Sequence, residues 1–167
     1  MVAGALEILG IDFGENRCSL TLEDFDIRGK HGKELDVILQ KKSFYPGKWG
    51  FKYPHLHDHF EESVETLSQC KFVFVFRDVY SVALAWEKHH GTPIYIGLDW
   101  AQGRYNKLIR MYQQFKNSSH LISYEKALLN KELFVDQLAS FVGINLDESR
   151  RSKLLDYISP GSYKLMP

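Results

Sequence analysis

The strongest hydrophobic pattern in the chain is Phe72–Phe76 (FVFVF), where every residue is apolar. A strand exposed on one face would alternate apolar and polar residues, because neighbouring side chains point to opposite faces. The pattern therefore predicts a strand that is covered on both faces, as in a parallel sheet. It leads into Arg77 and Asp78, and the residues after them predict a helix over residues 80–89.

Apolar residues at helical spacing predict further helices, and two short apolar segments predict further strands. The predicted helices lie at residues 2–9, 34–42, 60–67, 99–116 and 134–142, and a last one follows Asp147. The predicted strands lie at residues 49–53 and 120–124. Asp58, with Glu61 three residues later, predicts a capping box, and Asp147 predicts a second cap. Residues 92–98 are predicted to form a loop.

The alternation of strands and helices predicts an α/β fold, specifically a three-layer sandwich with a mostly parallel sheet. A length of 167 residues suits one domain with a sizeable core. The sequence shows no internal repeat and no flexible linker, so residues 1–167 are expected to form a single domain.

Charge and composition exclude several classes of partner. The chain has 21 basic and 21 acidic residues, so an extended nucleic-acid surface, which must neutralise many phosphates, is not expected. No apolar run approaches the roughly 18 residues that span a bilayer, and no signal peptide is visible. Cys18 and Cys70 lack metal-binding or disulfide spacing. We therefore expect a cytoplasmic protein with no membrane partner.

Arg77 is the first candidate ligand-binding residue. It follows the buried strand directly, and open α/β sheets bind ligands at the carboxyl ends of their strands. A guanidinium there can bind a phosphate in a bidentate manner, and the next helix offers backbone N–H groups. The alternative is that Arg77 pairs with Asp78 or another carboxylate.

Lys52 and the histidines after it form the second candidate group. A lysine at a strand end can stabilise charge on a bridging phosphate or sulfate oxygen, although Lys52 can equally be a solvated surface residue. His55, His57 and His59 alternate along the chain and can share a face of an extended segment. They indicate a polar loop, a general base or a metal site. Without a companion carboxylate or cysteine motif, no metal is expected.

Four segments resemble one family, in the order of that family. Residues 2–14 (VAGALEILGIDFG) are similar to the helix after the phosphosulfate loop of sulfotransferases, and residues 49–55 (WGFKYPH) to their Trp-Gly-x-Lys-Asp-Pro-Arg strand end. Residues 71–86 (KFVFVFRDVYSVALAW) resemble their strand, Arg-Asp/Asn-Pro turn and helix. Residues 121–144 resemble their Tyr-Glu-Asp-Leu strand and the helix ending in Phe-Leu-Gly.

The resemblance implies a P-loop-type sulfotransferase topology and 3′-phosphoadenosine 5′-phosphosulfate as the donor substrate. It implies that Arg77 binds the 3′-phosphate and that Lys52 lies near the transferred sulfuryl group. The family's first strand and its phosphosulfate loop would precede Val2, so a domain that is incomplete at its amino terminus and lacks the first strand is expected.

Several positions depart from the family pattern. Ala85 occupies the position of the serine that binds the 3′-phosphate, and Ser81, nearer the start of the helix, is the expected substitute. Val79 replaces the proline of the turn. His55 replaces a frequent arginine and is a candidate base, and Tyr53 replaces an aspartate.

Two functions follow as expectations. In an intact form, the protein would transfer a sulfuryl group to a hydroxyl or amine of a small-molecule, glycan or peptide acceptor. Alternatively, it is a truncated or degenerate relative that acts as a non-catalytic binding or interaction module. The missing first strand would leave an unpaired sheet edge, which favours a homodimer.

Overall fold

A computed structural model describes residues 1–158 of the chain. This part contains eight α-helices and two β-strands, with 3₁₀ turns at Leu56–Asp58, Phe60–Ser63 and Lys116–Ser118. In chain order the elements are α1 (Val2–Ile8), α2 (Gly32–Ser43), α3 (Val64–Leu67), β1 (Phe72–Phe76), α4 (Val79–His90), α5 (Ile94–Phe115), β2 (Ser119–Ser123), α6 (Tyr124–Leu129), α7 (Lys131–Val142) and α8 (Glu148–Tyr157). None of these helices is both long enough and apolar enough to cross a membrane.

The fold is α/β, mostly helical, with a small parallel sheet, which confirms the predicted class at this level. The predicted three-layer sandwich of P-loop type stays a prediction. The chain forms two compact units, one of Met1–Cys70 with the chain from Asn130 onward and the other of Lys71–Leu129. The single domain expected over residues 1–167 also stays a prediction.

The second unit is built around the two strands. β1 pairs in parallel with β2, so that Phe72 lies opposite Ser119 and Phe76 opposite Ser123. Alternate residues of a strand share a face, and the phenylalanines of β1 pack on α5. Phe72 stacks on Phe115 with ring centroids 4.6 Å apart, and Phe74 meets the edge of Tyr112. The apolar run thus forms the predicted strand, although only the face of Phe72 and Phe74 is buried and Val73 and Val75 on the other face are partly exposed.

Helices α4 and α5 connect the strands and pack against each other. α4 ends at Gly91, which has a left-handed φ of 64° that a side chain would disfavour. α5 begins at Ile94, so the loop predicted over residues 92–98 is confirmed only for residues 92–93 and is wrong for residues 94–98. Gly97, within the predicted loop, permits close packing of α5 on α4. A Cβ at Gly97 would lie 2.8 Å from the carbonyl oxygen of Ala83.

The first unit is a helical assembly. Its largest fully buried side chains are aliphatic, and they include Leu9, Ile27, Leu35, Leu67, Leu138 and Leu154. α1 packs on α8, where the missing side chain of Gly4 makes room for the ring of Tyr157. The predicted end of α7 at Gly143 and the predicted cap at Asp147 are confirmed, because Gly143 is left-handed and the Asp147 carboxylate accepts from the Arg150 amide.

Two further local predictions are wrong, and one helix was not predicted. Residues 49–53 form no strand, since Trp49 and Lys52 make single bridges to separate loop residues, Asp12 and Glu23. Asp58 does not cap a helix, because its carboxylate faces neighbouring histidines and the next turn has no side-chain cap. The short helix α6, which follows β2 directly, has no counterpart in the sequence prediction.

Candidate functional site

Arg77 lies directly after the carboxyl end of β1, and Tyr105 of α5 fixes its backbone. The Arg77 amide donates to the Tyr105 hydroxyl oxygen at 3.1 Å, and that hydroxyl donates to the Arg77 carbonyl at 2.5 Å. Burial raises the pKa of Tyr105, so the hydroxyl keeps its proton for this bond. The turn that carries the arginine is therefore held on both of its backbone polar groups.

The guanidinium of Arg77 rests on an aromatic ring. It lies 4.6 Å from the ring centroid of Tyr124, a cation–π contact that orients the side chain. Its Nε lies 4.0 Å from Oε1 of Glu125, a long ion pair in which both side chains are more than two-fifths exposed. Exposed ion pairs of this kind contribute little to stability. Since this pair involves only Nε, the other N–H donors of the guanidinium can bind a ligand.

Ser81 lies in the first turn of α4 and is bound to Asp78. The Asp78 carboxylate accepts from the Ser81 amide at 2.8 Å and from the Ser81 hydroxyl. These bonds hold the pKa of Asp78 below its usual value. The Asp78 amide in turn donates to Glu125 at 3.0 Å. Arg77 and Ser81 therefore share one turn, but two carboxylates already occupy the start of the helix.

Lys52 belongs to the first unit and is anchored by a loop. Its amine donates to the Thr21 carbonyl at 2.8 Å and lies 3.9 Å from the Glu23 carboxylate. Burial lowers the pKa of Lys52. The nearby thiol of Cys18 also has a lowered pKa, chiefly because the Thr21 side chain hydrogen-bonds to it. Lys52 is thus half-buried and bonded rather than a freely solvated surface lysine.

His55 lies on the surface three residues after Lys52. Its side chain is 60% exposed, and its Nδ1 lies 3.4 Å from Oδ2 of Asp58. His57 is buried and faces the other oxygen of the same carboxylate at 3.7 Å. His59 lies instead beside His31, and its Nδ1 lies 3.7 Å from Oε1 of a second carboxylate, that of Glu62. The three alternating histidines therefore divide between two carboxylates and do not converge on one point.

The sequence prediction missed the residues that surround Arg77. Tyr105 and Glu125 are 28 and 47 positions away from the residues they contact, so no local pattern links them. The sequence did contain one indication that Tyr124 and Glu125 lie near Arg77. Both follow β2 directly, and the carboxyl ends of parallel strands meet at one edge of a sheet, which is also where Arg77 lies.

These observations define an α/β protein with an aromatic-supported arginine at the carboxyl edge of a parallel strand pair. Comparisons with protein-family models, with curated proteins and with solved structures found no match to the chain.

Proposed function

We propose that this chain is a sulfotransferase-like domain of three-layer, P-loop type whose Arg77 binds the 3′-phosphate of 3′-phosphoadenosine 5′-phosphosulfate. One observation carries the proposal. The Arg77 guanidinium is held over Tyr124 directly beyond the end of a parallel strand and before the first turn of α4. This edge of an α/β sheet is where anionic ligands bind, because strand ends, helix N-termini and basic side chains meet there.

Binding a phosphate at Arg77 would break one weak ion pair, that with Glu125. The guanidinium can donate two parallel hydrogen bonds to the phosphate oxygens once its 4.0 Å contact with Glu125 is released. An exposed ion pair contributes about 0–1 kcal/mol, whereas hydrogen bonds to a charged group contribute about 1.5–3 kcal/mol. The exchange at the guanidinium therefore favours the phosphate, against the repulsion of the Asp78 and Glu125 carboxylates at the start of α4. The Ser81 hydroxyl can turn from Asp78 to donate a further bond.

The proposed reaction is direct transfer of the sulfuryl group. The acceptor oxygen or nitrogen forms a bond to sulfur while the bond from sulfur to the bridging phosphate oxygen breaks. The sulfotransferase resemblance implies that Lys52 stabilises the leaving oxygen and that His55, whose Nδ1 lies 3.4 Å from Asp58, takes the acceptor proton, and we propose both roles on that basis. The acceptor would be a hydroxyl or amine of a small molecule, glycan or peptide in the cytoplasm, and the scheme needs no metal.

A second candidate function is a binding module without transferase activity. It is favoured by the charge at the start of α4, where Asp78 takes both Ser81 donors and Glu125 takes the Asp78 amide. The Thr21 carbonyl likewise occupies one donor of the Lys52 amine. A protein that binds the nucleotide weakly and transfers nothing would fit these contacts.

Isothermal titration calorimetry with 3′-phosphoadenosine 5′-phosphate tests the shared claim of nucleotide binding. We expect Arg77→Ala to weaken binding about 10- to 100-fold, the equivalent of about 1.5–3 kcal/mol. The matched control is Arg110→Ala, which removes an exposed arginine from α5 of the same unit and should leave binding unchanged. No binding by the parent chain, or equal binding by both variants, would refute the proposal.

An assay with radiolabelled phosphosulfate donor and a panel of phenols, alcohols and amines then separates the two candidates. Labelled product that disappears in Lys52→Met supports the transferase. Nucleotide binding with no product from any acceptor supports the binding module.

A further inference from the structure

Two imidazoles and a carboxylate, from His31, His59 and Glu62, converge in the first unit. Nδ1 of His31 lies 2.7 Å from Oε2 of Glu62, and Nδ1 of His59 lies 3.7 Å from Oε1 of the same carboxylate. The two imidazole rings stack with centroids 4.6 Å apart. One potential ligand atom from each residue lies within 4.8 Å of the others.

The fold brings these side chains together through backbone contacts. His31 precedes the first residue of α2, and Glu62 lies in the Phe60–Ser63 turn, against which α2 packs. The Ser63 hydroxyl donates to the Gly32 carbonyl at 3.3 Å, which ties the two segments. Gly32 has a left-handed φ of 52°, and a Cβ there would lie 3.1 Å from Oε2 of Glu62. Glycine at this position therefore lets the carboxylate reach His31.

The orientation of the rings limits what their nitrogens can do. A carboxylate oxygen only accepts hydrogen bonds, so an imidazole nitrogen that faces it must carry either a proton or a metal ion. A divalent cation bound by both neutral imidazoles and by Glu62 satisfies all three groups at once.

The donor set and its spacing select the ion. Two imidazoles with one carboxylate are a ligand set of catalytic zinc sites, in which the fourth position stays open to water or substrate. Bond lengths of about 2.0–2.2 Å in a tetrahedral site place ligand atoms about 3.3 Å apart. The widest pair must therefore close by about 1.5 Å from its 4.8 Å limit, and the His31–Glu62 pair must open by about 0.6 Å from 2.7 Å. Side-chain rotation can supply both changes, because His31 and Glu62 are about half exposed.

We propose that His31, His59 and Glu62 form a binding site for Zn²⁺ with an open coordination position. The sequence prediction considered a metal only at His55, His57 and His59. In the structure just one of these, His59, lies in the cluster, and its partners come from other parts of the chain. The site belongs to the first unit and does not depend on nucleotide binding at Arg77.

The test is titration of the chelator-stripped full chain with Zn²⁺ by calorimetry, and with Co²⁺ by visible absorption. We expect one Zn²⁺ per chain and the intense absorption bands of four-coordinate Co²⁺. His31→Ala and Glu62→Gln each remove a ligand, so they should weaken binding by more than the roughly 10- to 100-fold loss seen for outer-shell partners. His55→Ala is the matched control, an exposed histidine from the same segment that should leave affinity unchanged.

Nuclear magnetic resonance of the parent chain makes the result independent of how well the variants fold. Zn²⁺ should shift the imidazole resonances of His31 and His59 and leave that of His55 in place. The proposal is overturned if the parent chain binds no Zn²⁺ in several-fold excess. It is equally overturned if His55→Ala loses as much affinity as His31→Ala, or if the shifted resonances belong to other histidines.

Discussion

Gly97→Ala tests how closely α4 and α5 pack in the second unit. The added Cβ would lie 2.8 Å from the Ala83 carbonyl oxygen and 3.0 Å from the Ala83 Cα. Both distances are shorter than a normal van der Waals contact, and both atoms are backbone, so the helices must separate. The separation would also disturb the contact of Trp86 with Trp100, whose tilted rings have centroids 4.1 Å apart.

The magnitude combines two opposing effects. Overpacking a tightly packed contact costs about 1–3 kcal/mol. Replacing glycine by alanine inside a helix recovers about 1 kcal/mol through helix propensity. We therefore expect Gly97→Ala to lower the free energy of unfolding by up to about 2 kcal/mol. Gly103→Ala is the matched control on α5, because a Cβ there meets no atom within 4 Å. It should raise stability by about 1 kcal/mol.

Urea denaturation followed by circular dichroism measures both variants. The difference between them isolates the overpacking cost, since both carry the same change in helix propensity. In thermal melts, each 1 kcal/mol should correspond to about 2–4 °C in a protein of this size. Equal stabilisation by the two substitutions would refute the close packing of α4 on α5.

Three further predictions concern individual contacts. Asn130→Ala should destabilise the protein by about 1 kcal/mol, because the Asn130 side chain accepts from the Leu133 amide at the start of α7. In urea denaturation, Asn130→Asp should restore the lost stability. An Asn130→Ala variant with unchanged stability would contradict the capping hydrogen bond. The lowered pKa of Asp78 means that its bond to Ser81 stabilises the fold above the unfolded-state pKa and is lost as pH falls through the folded-state value. In an acid titration by nuclear magnetic resonance, the Ser81 amide should therefore shift with a midpoint below about 3.9, and a midpoint at or above that value would argue against the bond. Glu125→Gln should tighten nucleotide binding by up to about fivefold in calorimetry, because it removes the ion pair that competes for Arg77; weaker binding would contradict this competition.

Elements with a strong local signal could be predicted from the sequence. The uninterrupted run of β1 is confirmed to the residue, and α8 begins after the capping aspartate Asp147. Predictions failed where one residue type serves two purposes. The predicted loop over residues 92–98 includes Gly97, which is a packing glycine in α5, and the predicted cap Asp58 pairs with histidines. Local sequence cannot distinguish these uses, because the partner lies elsewhere in the chain.

The candidate site was predictable only in part for the same reason. The position of Arg77 follows from one strand and the helix after it, so the sequence placed it correctly at the end of β1. Its supports, Tyr105 and Glu125, depend on how α5 and β2 fold back onto that strand. His31 and Glu62 are 31 positions apart and meet only through the packing of α2.

The most direct test of the central claim compares two nucleotides by calorimetry, 3′-phosphoadenosine 5′-phosphate and adenosine 5′-phosphate. They differ only in the 3′-phosphate that Arg77 is proposed to bind. We predict that the parent chain prefers the bisphosphate by about 10- to 100-fold and that Arg77→Ala abolishes this preference while still binding both nucleotides weakly. Equal affinity of the parent chain for the two nucleotides, or a preference that survives Arg77→Ala, would contradict the account.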